Sequence, residues 1–257
     1  MTMPTTAEAP LRAPVRVQAR LDRDLSRWLW LVKWLLLIPH IVVLFFLWIA
    51  LALVTLVAWV AILVTGRYPR TLFEFVLGVL RWTWRVQYYG YAGLGTDRYP
   101  PFTLSDVPDY PARIDVAYPD RLSRGLALVK WWLLAIPHYL VLALLVGGVP
   151  RTTGEGEDAT TTYTTGLLGL IVLFAGVALL FVGRYPRGIY DLVLGINRWS
   201  LRVFAYVALM TDAYPPFRLD QGGDEPDPVA GDRSDVPPGA RPVQEPGNPL
   251  PPDRAGT

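Results

Sequence analysis

Cysteine is absent from the 257-residue chain. That excludes disulfides, thiolate metal sites, iron–sulfur clusters and cysteine nucleophiles, and leaves the redox compartment open. Histidine is scarce, with His40 and His138 the two in the chain, so a metalloenzyme has little to build on. Charge of one sign is lacking too. The net charge is +2, which gives no field pointing to nucleic acid. No serine–histidine–acid pattern, nucleophile elbow or glycine-rich phosphate loop occurs. The sequence therefore names no catalytic residue, cofactor or metal, and reads as non-enzymatic.

What is abundant is apolar. Hydrophobic residues make up 52% of the chain, and the mean hydropathy is +0.30, high for a soluble protein. The excess sits in long runs. Residues 1–14 read as a flexible leader with no cleavable signal core, so the first apolar run is expected to direct its own insertion. Residues 220–257 are dominated by Pro, Gly and Asp. Such a tail buries too little surface to offset its ordering entropy and is expected to be disordered.

Three blocks recur in the same order. LSRWLWLVKWLLLIPH (Leu25–His40) returns as LSRGLALVKWWLLAIPH (Leu122–His138). GRYPRTLFEFVLGVLRWTWRV (Gly66–Val86) returns as GRYPRGIYDLVLGINRWSLRV (Gly183–Val203), and TDRYPPFTL (Thr96–Leu104) as TDAYPPFRL (Thr211–Leu219). The chain is a tandem duplication, with membrane repeats at 15–110 and 111–219. LSR, VKW, IPH, GRYPR, the RW pair and TDxYPPF in this order resemble the bacterial membrane family called domain of unknown function 4389, twice over. The resemblance implies a bacterial membrane protein and carries no assigned activity. Repeat 2 departs from the pattern by a polar insertion, which argues against a function that needs that turn to be invariant.

Trp28–Thr65 is almost wholly apolar. As a single helix it would be about 57 Å long, against a bilayer core of about 30 Å, which predicts two crossings. In repeat 2 the polar stretch Pro150–Thr165 marks the break. Expected spans are about 28–48 and 50–65, then about 125–149 and 166–182, with the unmarked turn of repeat 1 near Trp48–Ala52. Arginines and lysines flank both hairpins, while the inserted loop holds Arg151 against three acids. By the positive-inside rule both termini are cytoplasmic, in a multi-pass plasma-membrane protein.

A helix of different character follows each hairpin, about 70–93 and 187–209. Arg70, Glu74, Arg81 and Arg85 fall within an arc of about 60° at 100° per residue, and Arg187, Asp191, Arg198 and Arg202 repeat the stripe. The expectation is an amphipathic interfacial helix; the competing reading is a third span whose stripe faces protein. Glu74 and Asp191 are placed to pair with Arg70 and Arg187 one turn earlier. Val15–Leu21 and Arg113–Tyr118 alternate as half-buried strands do, with PPFTL and PPFRL as candidate partners in a short cytoplasmic β element.

Four side chains stand inside the apolar runs. Lys33 and Lys130 are read as snorkelling to the headgroups, with an internal pair or transport chemistry as alternatives. His40 and His138 follow a proline and are read as donors to the carbonyl the proline frees; a protonation switch is the alternative. GRYPR reads as a helix stop with interfacial anchors. A sharper reading has Arg67, Arg70, Arg184 and Arg187, with Arg81, Arg85, Arg198 and Arg202, holding anionic lipid headgroups.

These readings combine into an all-α integral membrane protein of two tandem transmembrane hairpins, each followed by an amphipathic interfacial helix, with short cytoplasmic strands. The expected role is that of an accessory or assembly protein that engages anionic lipid, a membrane-protein partner or a second copy. A small transporter or channel subunit using the repeated Lys/His pair is the alternative.

Overall fold

A computed structural model describes residues 14–147, 150–153, 160–163 and 166–220, the two short middle segments through their backbone. The leader before Pro14 and the tail beyond Asp220 lie outside the described residues.

The apolar run of repeat 1 folds as one helix, α1 (Lys33–Thr65), of 33 residues. No turn interrupts Trp48–Ala52, and the sequence there gives no cause for one, since it holds no glycine, proline or polar group. Pro39 lies within the first two turns, where it removes one backbone hydrogen bond without ending the helix. Termination comes at Gly66, whose φ of 70° is the left-handed cap conformation that favours glycine. The equivalent Gly183 has φ 74° and ends the corresponding helix of repeat 2.

Repeat 2 builds the same run in pieces. α3 (Arg124–Val129) passes through a π turn at Lys130–Leu134 into α4 (Ile136–Leu142). A second π turn, Ala143–Gly147, leads to the antiparallel strands β3 (Pro150–Thr153) and β4 (Thr160–Tyr163) and then to α5 (Leu167–Val182). The first π turn has a clear origin. Lys33 and His40 are seven positions apart, whereas Lys130 and His138 are eight apart. One extra residue would rotate the histidine about 100° off its face, and a π bulge absorbs it.

Neither repeat forms a hairpin. At 1.5 Å per residue α1 is about 50 Å long. Its C-terminal end meets the start of the second run: the Leu122 N–H donates to the Gly66 carbonyl at 2.9 Å, and the Trp59 indole donates to the Ala127 carbonyl at 2.9 Å. The far end of the second run meets the approach to α1, with Gly183 against Arg27 and Gly176 against Trp30. The two ends of the second run therefore touch opposite ends of a 50 Å rod and cannot lie side by side. What looked like a turn in repeat 2 is an insertion into a second rod. Two of these helices, Lys33–Thr65 and Arg124–Gly147, are long and apolar enough to cross a membrane, and Leu167–Val182 is a shorter apolar helix.

The charged-stripe helices, α2 (Arg70–Tyr89) and α6 (Arg187–Val207), turn back after the GRYPR corners. They are bridged by a 2.8 Å hydrogen bond between the Tyr88 and Tyr190 hydroxyls. On α2, Trp82, Val86 and Tyr89 cluster with Leu37 and Leu44 of α1. On a different face, Arg81, Trp84 and Tyr88 donate to carbonyls of Ile114, Gln18 and Arg20. Those carbonyls belong to or flank a sheet of β1 (Val15–Ala19) and β2 (Ala112–Val116), paired antiparallel with Val15 opposite Val116. On a wheel of 100° per residue the two faces of α2 are centred about 130° apart. The order of layers is long rod, charged-stripe helix, sheet.

The strand periodicity was legible, but its partner was not: β1 pairs with β2, and neither PPF segment is a strand. Period-2 alternation buries Val15, Val17, Ala19, Ala112, Ile114 and Val116 against the helices. Gln18, Arg20 and Asp115 face outward. Within the chain, α2 and α6 are the most buried elements of the fold, with Trp84 and Arg198 fully enclosed.

Candidate functional site: two lysine clamps

The repeated motifs converge on one arrangement, built twice. Ser26 caps the turn that leads into α1, its hydroxyl accepting the Leu29 N–H at 3.3 Å. Its own backbone N–H donates to the Asp97 carboxylate at 2.5 Å. The other oxygen of Asp97 pairs with the Lys33 ammonium at 2.9 Å, and that ammonium also donates to the Thr96 carbonyl at 2.7 Å. Lys33 further lies 4.6 Å from the centre of the Tyr89 ring. The lysine is 1% exposed and the aspartate 22%.

Repeat 2 reproduces each contact. Ser123 caps α3 through the Leu126 N–H at 3.3 Å and donates to Asp212 at 2.6 Å. Lys130 pairs with Asp212 at 2.8 Å, donates to the Thr211 carbonyl at 3.0 Å, and lies 5.3 Å from the Tyr206 ring centre. The lysines therefore do not snorkel; of the alternatives, the internal pair is realised. Thr96 and Thr211 shape the loop that carries the acid, their hydroxyls accepting the backbone N–H two residues on.

The same loop encloses the histidine. His40 stacks on Phe102 with ring centres 4.0 Å apart and planes 13° from parallel. Tyr99 lies beside it at 4.9 Å, and the Trp82 indole donates to its Nδ1 at 3.1 Å. An accepted bond at Nδ1 leaves the neutral ring its proton on Nε2. His138 stacks on Phe217 at 4.2 Å and 14°, next to Tyr214. Neither ring donates to the carbonyl loosened by its proline. The tyrosine of TDxYPPF bonds the carbonyl next to it: the Tyr99 hydroxyl donates to the Leu36 carbonyl at 3.1 Å, and the Tyr214 hydroxyl to Leu134 at 3.4 Å. Each belongs to the residue three before the proline, one past the carbonyl that loses its N–H.

The eight arginines divide by position. Arg67, Arg70, Arg184 and Arg187 are exposed at the GRYPR corners. Arg85 is buried and donates to the Ser105 carbonyl at 2.9 Å and to the Thr103 carbonyl. Arg198 is fully buried and donates to the Val17 carbonyl at 3.0 Å and the Asp220 carbonyl at 2.9 Å. Arg202 pairs with Asp220 at 2.6 Å, both 8% exposed, and Arg81 pairs with Asp115 at 3.1 Å. These four pin strands and loops to the helices; the charged hydrogen bonds of the three buried ones contribute about 1.5–3 kcal/mol each, and that of Arg81, whose partner is 70% exposed, less. They are not a surface for lipid. Among the described residues Glu74 and Asp191 form no ion pair, so the expected one-turn pairs with Arg70 and Arg187 are absent.

Asp97 and Asp212 are the site residues that sequence reasoning missed. A signal existed: TDxYPPF is the block that brings one acid to each lysine of the duplicated pair. Separations of 64 and 82 positions hid it. Among the described residues no three metal-ligating side chains come together.

No curated protein and no solved structure matches the chain. A family model described as domain of unknown function 4389 matches residues 27–103 and again residues 162–218. The two matches cover both copies of the clamp loop and of the charged-stripe helix, and they account for more than half of the chain. The chain belongs to this family, as two tandem copies.

Proposed function

We propose that the chain is a non-enzymatic accessory protein of a bacterial plasma membrane that engages anionic lipid headgroups, with its arginine-rich flanks and both ends of the chain on the cytoplasmic side. The observation that carries this reading is the placement of Arg67, Arg70, Arg184 and Arg187. They are exposed at the ends of α1 and α5, whose exposed faces carry no charged side chain. Cations beside buried apolar surface suit a membrane with negative lipids. The tryptophans Trp28, Trp34, Trp131 and Trp132 are exposed near the opposite ends of the same runs, as interfacial anchors are. The transporter alternative rests on the duplication and the repeated Lys/His pair. Each lysine is instead closed by the aspartate of its own repeat, and each histidine by an aromatic stack, which supports the accessory reading.

Flotation of the purified chain with vesicles tests this. Vesicles of phosphatidylglycerol and phosphatidylcholine should retain more protein than phosphatidylcholine alone, and added salt should narrow the difference. Changing Arg67, Arg70, Arg184 and Arg187 to Gln should abolish the preference, each arginine near an anionic surface being worth about 1 kcal/mol. Equal retention on both vesicles at every salt concentration would reject the anionic-lipid reading.

A further inference from the structure

We infer that the two long rods lie along the plane of the membrane, embedded in the acyl layer of one leaflet, and do not cross it. The inference rests on the membrane association proposed above and concerns its geometry. The layer order carries it. One narrow stripe of α1, through Leu37, Leu44, Leu51 and Ala58, is buried over most of the helix length. A seven-residue repeat keeps that stripe on one side of the helix. Opposite it run Leu35, Val42, Ile49 and Leu56, exposed by 55%, 53%, 47% and 57%. The only ionisable side chains of α1, Lys33 and His40, are on the buried side. The exposed side chains of residues 125–147 and of Leu167–Val182 in the second rod are equally free of charge.

Behind the buried stripe lies α2, and behind α2 the sheet, whose outer face carries Arg16, Gln18, Arg113 and Asp115. β2 and the residues after it follow α2 along most of its length: Ile114 is bonded by Arg81, and Tyr118 packs on Phe73. An upright α1 would therefore carry this charged sheet at the depth of its own midpoint, in hydrocarbon, where charge is costly. Laid flat, the same layers put every charge of the sheet toward water and every exposed side chain of α1 toward lipid. The length agrees. A rod of about 50 Å overshoots a core of about 30 Å, whereas an in-plane helix has no length to match. The occupant of the apolar face is thus the acyl layer beneath the headgroups of one leaflet.

Because the chain has no cysteine, single labels report cleanly. Leu35→Cys, Val42→Cys, Ile49→Cys and Leu56→Cys, each at an exposed position, would carry an environment-sensitive fluorophore in the full chain. The chain is reconstituted in vesicles of phosphatidylglycerol and phosphatidylcholine containing lipid quenchers at a shallow or a deep acyl position. The line spans about 32 Å. The in-plane arrangement gives one shallow-to-deep quenching ratio, the same at all four sites. A ratio favouring deep quenching in the middle and shallow quenching at the two ends would overturn it in favour of spanning, and would leave membrane association intact. Labels shielded from both quenchers while the protein still floats with vesicles would overturn it in favour of a second copy covering the face. Failure to float at all would reject the reading on which the inference rests.

Discussion

Repeat 1 and repeat 2 reach the same clamp from different helices. In repeat 1 an unbroken helix carries Lys33 and His40 seven positions apart. In repeat 2 the interval is eight, the helix passes through a π turn, and two strands are inserted farther on. Lysine, aspartate, serine cap, tyrosine and stacked histidine nevertheless occupy matching places. The helix has given way to preserve the clamp. The fold therefore tolerates change in the rod and depends on the loop that grips it. One contact has relaxed: Trp82 donates to His40, whereas the Trp199 indole and both nitrogens of His138 have no hydrogen-bond partner among the described residues.

The largest test of that comparison is at the acids. Asp97→Ala and Asp212→Ala should each destabilise by about 3 kcal/mol or more, because each strands an enclosed ammonium. Lys33→Met and Lys130→Met should cost clearly less, since the partner carboxylate reaches water and keeps its serine N–H. Thermal unfolding in detergent measures all four. Equal losses for acid and base would contradict the clamp. A smaller effect separates the repeats: Trp82→Phe should cost about 1 kcal/mol more than Trp199→Phe, the worth of the hydrogen bond to His40. Equal losses would mean that this bond contributes nothing. The smallest effect concerns the helix. One alanine inserted after Leu35 should be absorbed as a π turn, as in repeat 2. Stability should fall by less than about 2 kcal/mol, or roughly 4–8 °C in Tm for a chain of this size. A collapse of the fold would show that the π turn of repeat 2 depends on its own surroundings.

Local regularities were legible in the sequence; their partners were not. The duplication, the glycine stops, the strand alternation and the stripe of α2 all read correctly, because each is written within a few adjacent residues. The hairpins did not. A polar insertion in repeat 2 looked like a turn, yet nothing in Trp48–Ala52 could break a helix, and the two ends of the second run still reach opposite ends of α1. The arginine stripe was placed correctly on the wheel and wrongly in space. Arg85 and Arg198 donate to carbonyls of loops and strands supplied by segments 18 or more positions away, and no helical period reveals such a cover. Lys33 and Lys130 failed for the same reason, their carboxylates being 64 and 82 positions on.

The contacts where each rod meets the other have lost their symmetry. Trp30 packs on Gly176, where an added Cβ would stand 3.2 Å from the indole, and Trp59 bonds to Ala127. By repeat alignment Trp30 corresponds to Ala127 and Trp59 to Gly176, so repeat 1 holds both large residues and repeat 2 both small ones. Two copies of repeat 1 would set tryptophan against tryptophan at both ends, and two copies of repeat 2 would leave both ends empty. A pairing that like modules could once satisfy by two-fold symmetry now requires unlike ones, held at high effective concentration by the chain that joins them. The duplication has become obligatory: neither half retains a surface that its own twin can complete.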